Sequence, residues 1–413
     1  MSTTPSAVDP PVGSVGNTAA TQRKQLGTGL LDRVRRGSPQ QYRLIVAFGP
    51  AVVYLAIRLV GLLVLAWLSA ANDEALVDNL RAWDGQWYLE IAEHGYGGVN
   101  PDMVDGFGHR YPETPLAFFP GYPLLITAFS WIPGVSTTGG AITASLACGV
   151  AAAYGLARLG RRVGGSDGVG LLLVVLFAAA PMSVVLSMAY SEAMFCALSI
   201  WALIGVIERN WPLAGLCCAA AGLVRPTAAA LLGVVGLAAL IAIVQRRDTW
   251  RPWLALVLAP AGMLLYIGWV GWQTSNPTGY FSLQQRGWSS AFDGGVATGK
   301  FMIESLTSDK SVLETFTVWI VLAALVLLVL CFRLRMPWPL MVFAAAVLVL
   351  DLGSDGLMYS KVRLMLPAFP LLIPVAIGLS RRRTTTAVTT AVLLVFFGSW
   401  FGAYSLTAWD YAI

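Results

Sequence analysis

The sequence predicts an all-α polytopic membrane protein of about eleven transmembrane helices, within a range of about nine to thirteen. Three observations predict it. Hydrophobic residues make up 57% of the 413 and charged residues only 12%, roughly half the charged share of an average soluble domain. Apolar runs of helical length recur along most of the chain. The basic residues fall in short clusters between those runs, the pattern of membrane topology, so the net charge of +5 does not read as a nucleic-acid footprint.

The elements follow in order. Residues 1–43 are polar and rich in Ser, Thr, Pro, Gly and Arg, which predicts a disordered cytoplasmic tail; no apolar core of a cleavable signal peptide precedes the first span. The membrane domain then occupies 44–413. Its apolar runs lie at about 44–70, 139–158, 169–188, 191–207, 212–224, 227–244, 253–273, 312–332, 337–352, 364–380 and 386–406. The run at 212–224 is short, and Arg225-Pro226 separates it from the next, as in a broken helix pair lining a polar cavity. Segment 116–133 reads as an interfacial helix rather than a span. Its prolines at 115, 120, 123 and 133 suit a bent surface element, and counting it as a span would break the charge alternation.

With that choice, 18 of the 27 basic residues fall on one side, while only five of the 22 acids do. The positive-inside rule then predicts a multi-pass plasma-membrane protein with a cytoplasmic N-terminus and an external active face. Two external loops are long: 71–138, read as the catalytic one, and 274–311. Only four lysines stand against 23 arginines, a bias that points to a GC-rich bacterial genome.

The five cysteines all lie in apolar runs without CxxC spacing and read as small core residues. There is no P-loop, no GxGxxG, no Asp-x-Asp and no His/Cys cluster, so no metal or cofactor is expected. Without a nucleotide-sugar signature, an activated donor held in the membrane fits the chain best.

The chemistry-bearing positions sit mostly at the external ends of the spans. Asp84, in Trp83-Asp84-Gly85-Gln86-Trp87-Tyr88, puts a carboxylate between two indoles at the edge of lipid. It reads as a general base for an acceptor hydroxyl, or as the N-cap of an amphipathic helix over 85–94. Arg225, at the helix break, needs an anion: a phosphate held in a bidentate fork, a protein carboxylate or a lipid headgroup. Lys361 and Arg363 are external cations in a chain that keeps most of its cations inside; a donor phosphate would explain them, and so would anionic lipid. Glu192 is expected to salt-bridge one of these arginines or to assist Asp84. Trp83, Trp87, Tyr88, Gln285 and Arg286 complete the substrate-pocket candidates. Arg58, deep in the first run, is expected to pair with a carboxylate.

Two segments carry a family resemblance. Trp83-Asp84…Trp87-Tyr88…Ile91-Ala92…Gly95-Tyr96, followed by Phe118-Phe119-Pro120-Gly121-Tyr122-Pro123, resembles the signature of the PIG-V type mannosyltransferases, members of the GT-C class of membrane glycosyltransferases. Tyr190-Ser191-Glu192-Ala193-Met194-Phe195, Arg225-Pro226 and Arg363-Leu364-Met365-Leu366-Pro367…Phe369-Pro370 resemble later motifs of that family in the same order, so the likeness covers about residues 44 to 380. The resemblance implies a GT-C fold with surface helices and a catalytic aspartate, here Asp84, in the first external loop. It implies a polyprenyl-phosphate mannose donor, an inverting transfer to a glycolipid or glycan acceptor, and donor-phosphate roles for Arg225 and Arg363. A lipid-linked sugar flippase and a non-catalytic envelope-complex subunit are the rival readings; a flippase would be expected to show internal repeats, and none stands out.

Overall fold

The computed structural model describes residues 37–409, and most of the expected N-terminal tail lies outside them. From Pro39 the chain is already helical. Helix α1 (Pro39–Ala71) opens on Ser38, whose side chain accepts from the Gln41 amide, with Pro39 in the first turn where its missing N–H costs nothing. Its 33 residues rise about 50 Å, well beyond the hydrocarbon core of a bilayer.

The first long loop carries α2 (Leu76–Leu80), α3 (Asp84–His94), a 3-10 turn (Thr114–Ala117) and α4 (Gly121–Ser130). Ten residues of α4 rise about 15 Å, half of what a span needs, as expected for segment 116–133. The bundle continues with α5 (Thr137–Gly164), α6 (Asp167–Ala178), α7 (Glu192–Ile207), α8 (Trp211–Ala221), α9 (Ala228–Val244), α10 (Arg251–Leu258) and α11 (Ala261–Gln273). The second loop holds α12 (Gly279–Trp288) and α13 (Val296–Thr307). The chain closes with α14 (Val312–Arg333), α15 (Trp338–Leu352), α16 (Lys361–Leu364), α17 (Ile373–Ser380) and α18 (Thr384–Thr407).

Every apolar run contains a helix, but they are not equal spans. Among the described residues, five segments are long and apolar enough to cross a membrane, 39–71, 137–164, 251–273, 312–333 and 384–407; a sixth forms if Met358–Leu364 and Leu366–Ser380, bent by 55°, count as one. The other five runs give helices of 10–17 residues. The run at 169–188 shows why. Helix α6 stops at Ala178, Pro181 and a left-handed Met182 (φ +59) break the chain, and a 3-10 turn covers Ser183–Ser187.

That break corrects the expectation for Arg58. The side chain is buried and meets no carboxylate among the described residues; it donates instead to the carbonyls of Ala178 and Ser183 and, at 2.9 Å, to Ser183 Oγ. A guanidinium thus answers the carbonyls that the interrupted helix leaves open. Close packing elsewhere uses glycine: a Cβ at Gly149 of α5 would lie 1.9 Å from Tyr54 Oη of α1. Replacing Arg58 with Met should strand the Ala178 and Ser183 carbonyls and cost about 2–4 kcal/mol, with Arg58→Lys recovering part. Thermal unfolding of the detergent-solubilised variants checks this, and an unchanged midpoint for the Met variant would show that the break is held by packing alone.

Candidate functional site

The site forms where the first long loop docks on the ends of α7, α8, α15 and α16 that face it. Docking begins with hydrogen bonds to the 3-10 turn and the residue after it. Tyr266 Oη donates to the carbonyls of Leu116 (2.8 Å) and Phe118 (2.6 Å), Tyr96 Oη to Phe118 (2.7 Å), and Gln284 Nε2 to Ala117 (3.0 Å). Phe118 then stacks on Trp87 at 5.3 Å and meets Tyr88 and Trp288 edge-on, while Tyr88 packs edge-on against Tyr122 at 5.2 Å. The Phe118–Pro123 motif also has a backbone task. Gly121 donates to Leu223 O at 2.7 Å, and a Cβ there would sit 2.7 Å from that oxygen, so only glycine allows α4 to start against the α8–α9 break.

Asp84 is not an N-cap. The cap position is Trp83, and Asp84 is the first residue of α3, making no capping bond. Trp83 stands at φ +56, ψ −120, the first central position of a tight turn closed by Gly85 N to Ala82 O at 3.1 Å. Glycine normally takes that conformation, and a bulky residue there stores roughly 1–3 kcal/mol of strain. The turn sends the Asp84 side chain across the site, where its Oδ2 accepts from Arg363 Nη1 at 2.7 Å.

Arg363 holds a second acid: its Nε lies 3.4 Å from Glu192 Oε1. That same oxygen pairs with Arg225 Nη1, so Asp84, Arg363, Glu192 and Arg225 form one chain of ion pairs. Exposure falls from 26% for the Asp84 side chain to 7% for Arg363 and 1% for Glu192, and rises again to 12% at Arg225. Both acids occupy the first turn of a helix, where the dipole favours negative charge. Around them, Ser191 Oγ meets Tyr88 Oη at 3.0 Å and Arg225 Nη1 at 3.4 Å, and the Arg363 guanidinium lies 5.1 Å from the Tyr190 ring centre. Burial pushes the Tyr88 phenol up to about 12, so it remains a neutral hydroxyl at physiological pH and is not a base.

The structure thus brings Asp84, Tyr88, Glu192, Arg225 and Arg363 together, with Trp83 and Trp87 beside them. It gives Lys361 a task other than the expected phosphate contact. Its ammonium donates to the carbonyls of Asp351, Ser354 (2.6 Å) and Asp355 (3.4 Å), closing the end of α15 and occupying all three of its protons. Gln285 is exposed. Arg286 turns to Glu113 at 3.9 Å and stacks 3.8 Å over the Tyr111 ring, within the loops rather than in the ion-pair chain.

Three residues escaped the sequence. Tyr190 and Ser191 directly precede Glu192 and contact Arg363 and Arg225 respectively. Asp351, buried at the end of α15, has neither carboxylate oxygen hydrogen-bonded among the described residues, and Lys361, Arg225 and Arg363 are the cations acting on it. Its signal was legible, since a lone acid in Val347-Leu348-Val349-Leu350-Asp351 is costly in a membrane helix. Among the described residues no group of three His, Cys, Asp or Glu side chains is arranged to hold a metal ion.

No family model matches the chain. The expected likeness to the PIG-V type mannosyltransferases holds against individual proteins. The chain is 30% identical over 205 residues to GPI alpha-1,6-mannosyltransferase 2 of Mus musculus, covering 47% of this chain and 38% of the mouse protein. It is 31% identical over 135 residues to GPI mannosyltransferase pigv-1 of Caenorhabditis elegans, covering 29% of this chain and 18% of that one. The matches therefore span well under half the length of these relatives. Among solved structures, the fold is similar to that of ArnT from Cupriavidus metallidurans bound to undecaprenyl phosphate, with a TM-score of 0.50 at 17% identity over 84% of this chain and 63% of ArnT. The architecture is accordingly that of an all-α membrane protein of the GT-C type.

The burial gradient makes a direct prediction. Glu192→Gln removes the charge shared by two buried arginines and should cost about 3–5 kcal/mol. Glu208→Gln, which breaks the exposed pair with Arg158, should cost no more than about 1 kcal/mol. Unfolding midpoints of the two variants, measured side by side, test the ordering; equal shifts would mean the buried chain holds nothing a surface pair does not.

Proposed function

We propose that the chain is an inverting glycosyltransferase that moves a sugar, mannose by its relatives, from a polyprenyl-phosphate donor to a lipid-linked or cell-envelope acceptor at the external membrane face. The observation that carries this is the Asp84–Arg363 pair: a base candidate at the open end of a buried ion-pair chain, walled by aromatic rings and aimed inward by a strained turn. The mannosyltransferase relatives suggest the sugar, and the undecaprenyl phosphate bound to ArnT suggests the class of lipid carrier.

The proposed step uses the charges already present. The acceptor hydroxyl approaches Asp84 from the aromatic side, and its oxygen attacks the anomeric carbon as its proton passes to Oδ1, the oxygen not held by Arg363. The bond from that carbon to the phosphate oxygen breaks, leaving polyprenyl phosphate with one more negative charge than the diester had. Protonation of Asp84 removes one negative charge from the chain at the same moment. Arg363 is thereby freed to meet the leaving phosphate through Nη2, with Arg225 behind it. Attack opposite the leaving group inverts the centre, so a β-linked donor gives an α-linked product. Lys361 is not part of this step.

Asp84→Asn keeps the side chain's shape and its acceptor for Arg363 but cannot take the proton. It should fold and bind donor normally while losing about a hundredfold or more in turnover with labelled polyprenyl-phosphate mannose and membrane glycolipid. Transfer near the wild-type rate would remove Asp84 as the base and make Glu192 the next carboxylate to test. The proposed orientation has its own check. In a background lacking the five native cysteines, a cysteine at 84 should react with an impermeant thiol reagent from outside, and one at 161 only after permeabilisation. Labelling of both from one side would overturn it.

A further inference from the structure

A cavity of about 380 Å³ opens at the end of the bundle opposite the candidate active site, a volume in the range of small-molecule sites. Helices α7 and α15 each run from one region to the other: α7 from Glu192 to Ile207, and α15 from the cavity residue Pro337, just before it, to Asp351. Their lengths separate the two regions by about 20–25 Å. Three arginines from three separate segments line the cavity: Arg162 in the last turn of α5, Arg335 in the turn between α14 and α15, and Arg381 just after α17. Ile207, Met336 and Ile377 give it apolar wall.

These arginines differ from their neighbours at the same end. Arg158, Arg161 and Arg209 pair with Glu208, Asp167 and Asp248. Among the described residues, Arg162, Arg335 and Arg381 have no ion-pair partner, and Glu208, on which Arg162 also acts, is already taken by Arg158. Arg335 is also presented from a fixed backbone. It adopts a left-handed conformation (φ +49) in the turn that closes α14, where Met336 N bonds Cys331 O. Three exposed guanidiniums without an ion-pair partner of their own, around a partly apolar cavity at one end of the bundle, match the chemistry of a phosphate ester carried on a hydrocarbon chain. Arginines in the last turn of a helix also answer its carbonyl dipole, but that task calls for no cavity.

We infer that this cavity binds the phosphate headgroup of an anionic membrane lipid, with the lipid's chain against Ile207, Met336 and Ile377. The inference is independent of the chemistry proposed at Asp84. Native mass spectrometry of the full chain in neutral detergent tests it, with phosphatidylglycerol, phosphatidylcholine and inorganic phosphate as probes. The wild type should retain phosphatidylglycerol over phosphatidylcholine. A variant combining R162Q, R335Q and R381Q should lose at least about tenfold in phosphatidylglycerol affinity. A variant combining R158Q, R161Q and R209Q removes the same charge from the same end and should change it by less than about twofold. Displacement of the lipid by millimolar inorganic phosphate would overturn the lipid assignment and make the cavity a site for a soluble phosphate. Equal losses in the two triple variants, or none in either, would overturn the site itself. Should the cavity triple variant fail to fold, R381Q alone, just past the end of α17, is read in the same way and should weaken retention by a few-fold.

Discussion

The end of the bundle that carries the candidate site depends on Arg363 being gripped by two carboxylates at once. A guanidinium buried to 7% exposure would be prohibitive alone, and so would Glu192 at 1%. Each makes the other tolerable, and Asp84, 279 residues away in sequence, closes the chain. Because Asp84 rides on the first long loop, the ion pair cannot form until that loop has docked. Because Glu192 and Arg225 sit at helix ends, it also fixes α7 relative to the α8–α9 break.

Docking the loop meets a problem that the aromatic residues solve. A 3-10 turn leaves carbonyls without helical partners, and here Tyr96, Tyr266 and Gln284 supply the donors from three segments. The second loop is tied in through Trp288 against Phe118, and through backbone bonds from Asp293 and Gly294 to Gly353, beside the turn that Lys361 closes. Tyr96, Tyr266 and Trp288 are therefore the means by which two distant loops are held over one ionic centre.

How much of this was legible follows from the kind of signal each residue leaves. Asp84 was visible because an acid between indoles is locally odd, Arg225 because a cation at a helix break in an apolar run needs an anion, and Lys361 and Arg363 because cations on the acidic side break a global rule. Their partners in space were not visible, since no local pattern distinguishes a phosphate-binding lysine from one that caps a helix end, as Lys361 does. Gln284 and Gln285 show the same limit at finer scale: neighbours on a helix point about 100° apart, and only the docked turn decides which one faces Ala117. Helix positions were read well from hydropathy, but hydropathy cannot reveal that Pro181 and Met182 halt α6 early, or that Arg58 makes that halt stable. Asp351 was a different failure, because its cost in an apolar run was already plain from the sequence.

The balance of charge around the pair has a consequence for encounter. Arg225 and Arg363 are matched by Asp84 and Glu192, so the ion-pair chain carries no formal net charge. Such a centre projects little field beyond a few ångströms and does not draw anions from a distance. A lipid-borne anion would have to arrive by lateral diffusion in the bilayer, captured by contact with its chain and the aromatic walls. Its rate of arrival would then follow membrane viscosity and carrier abundance, and be nearly indifferent to the ionic strength of the surrounding water.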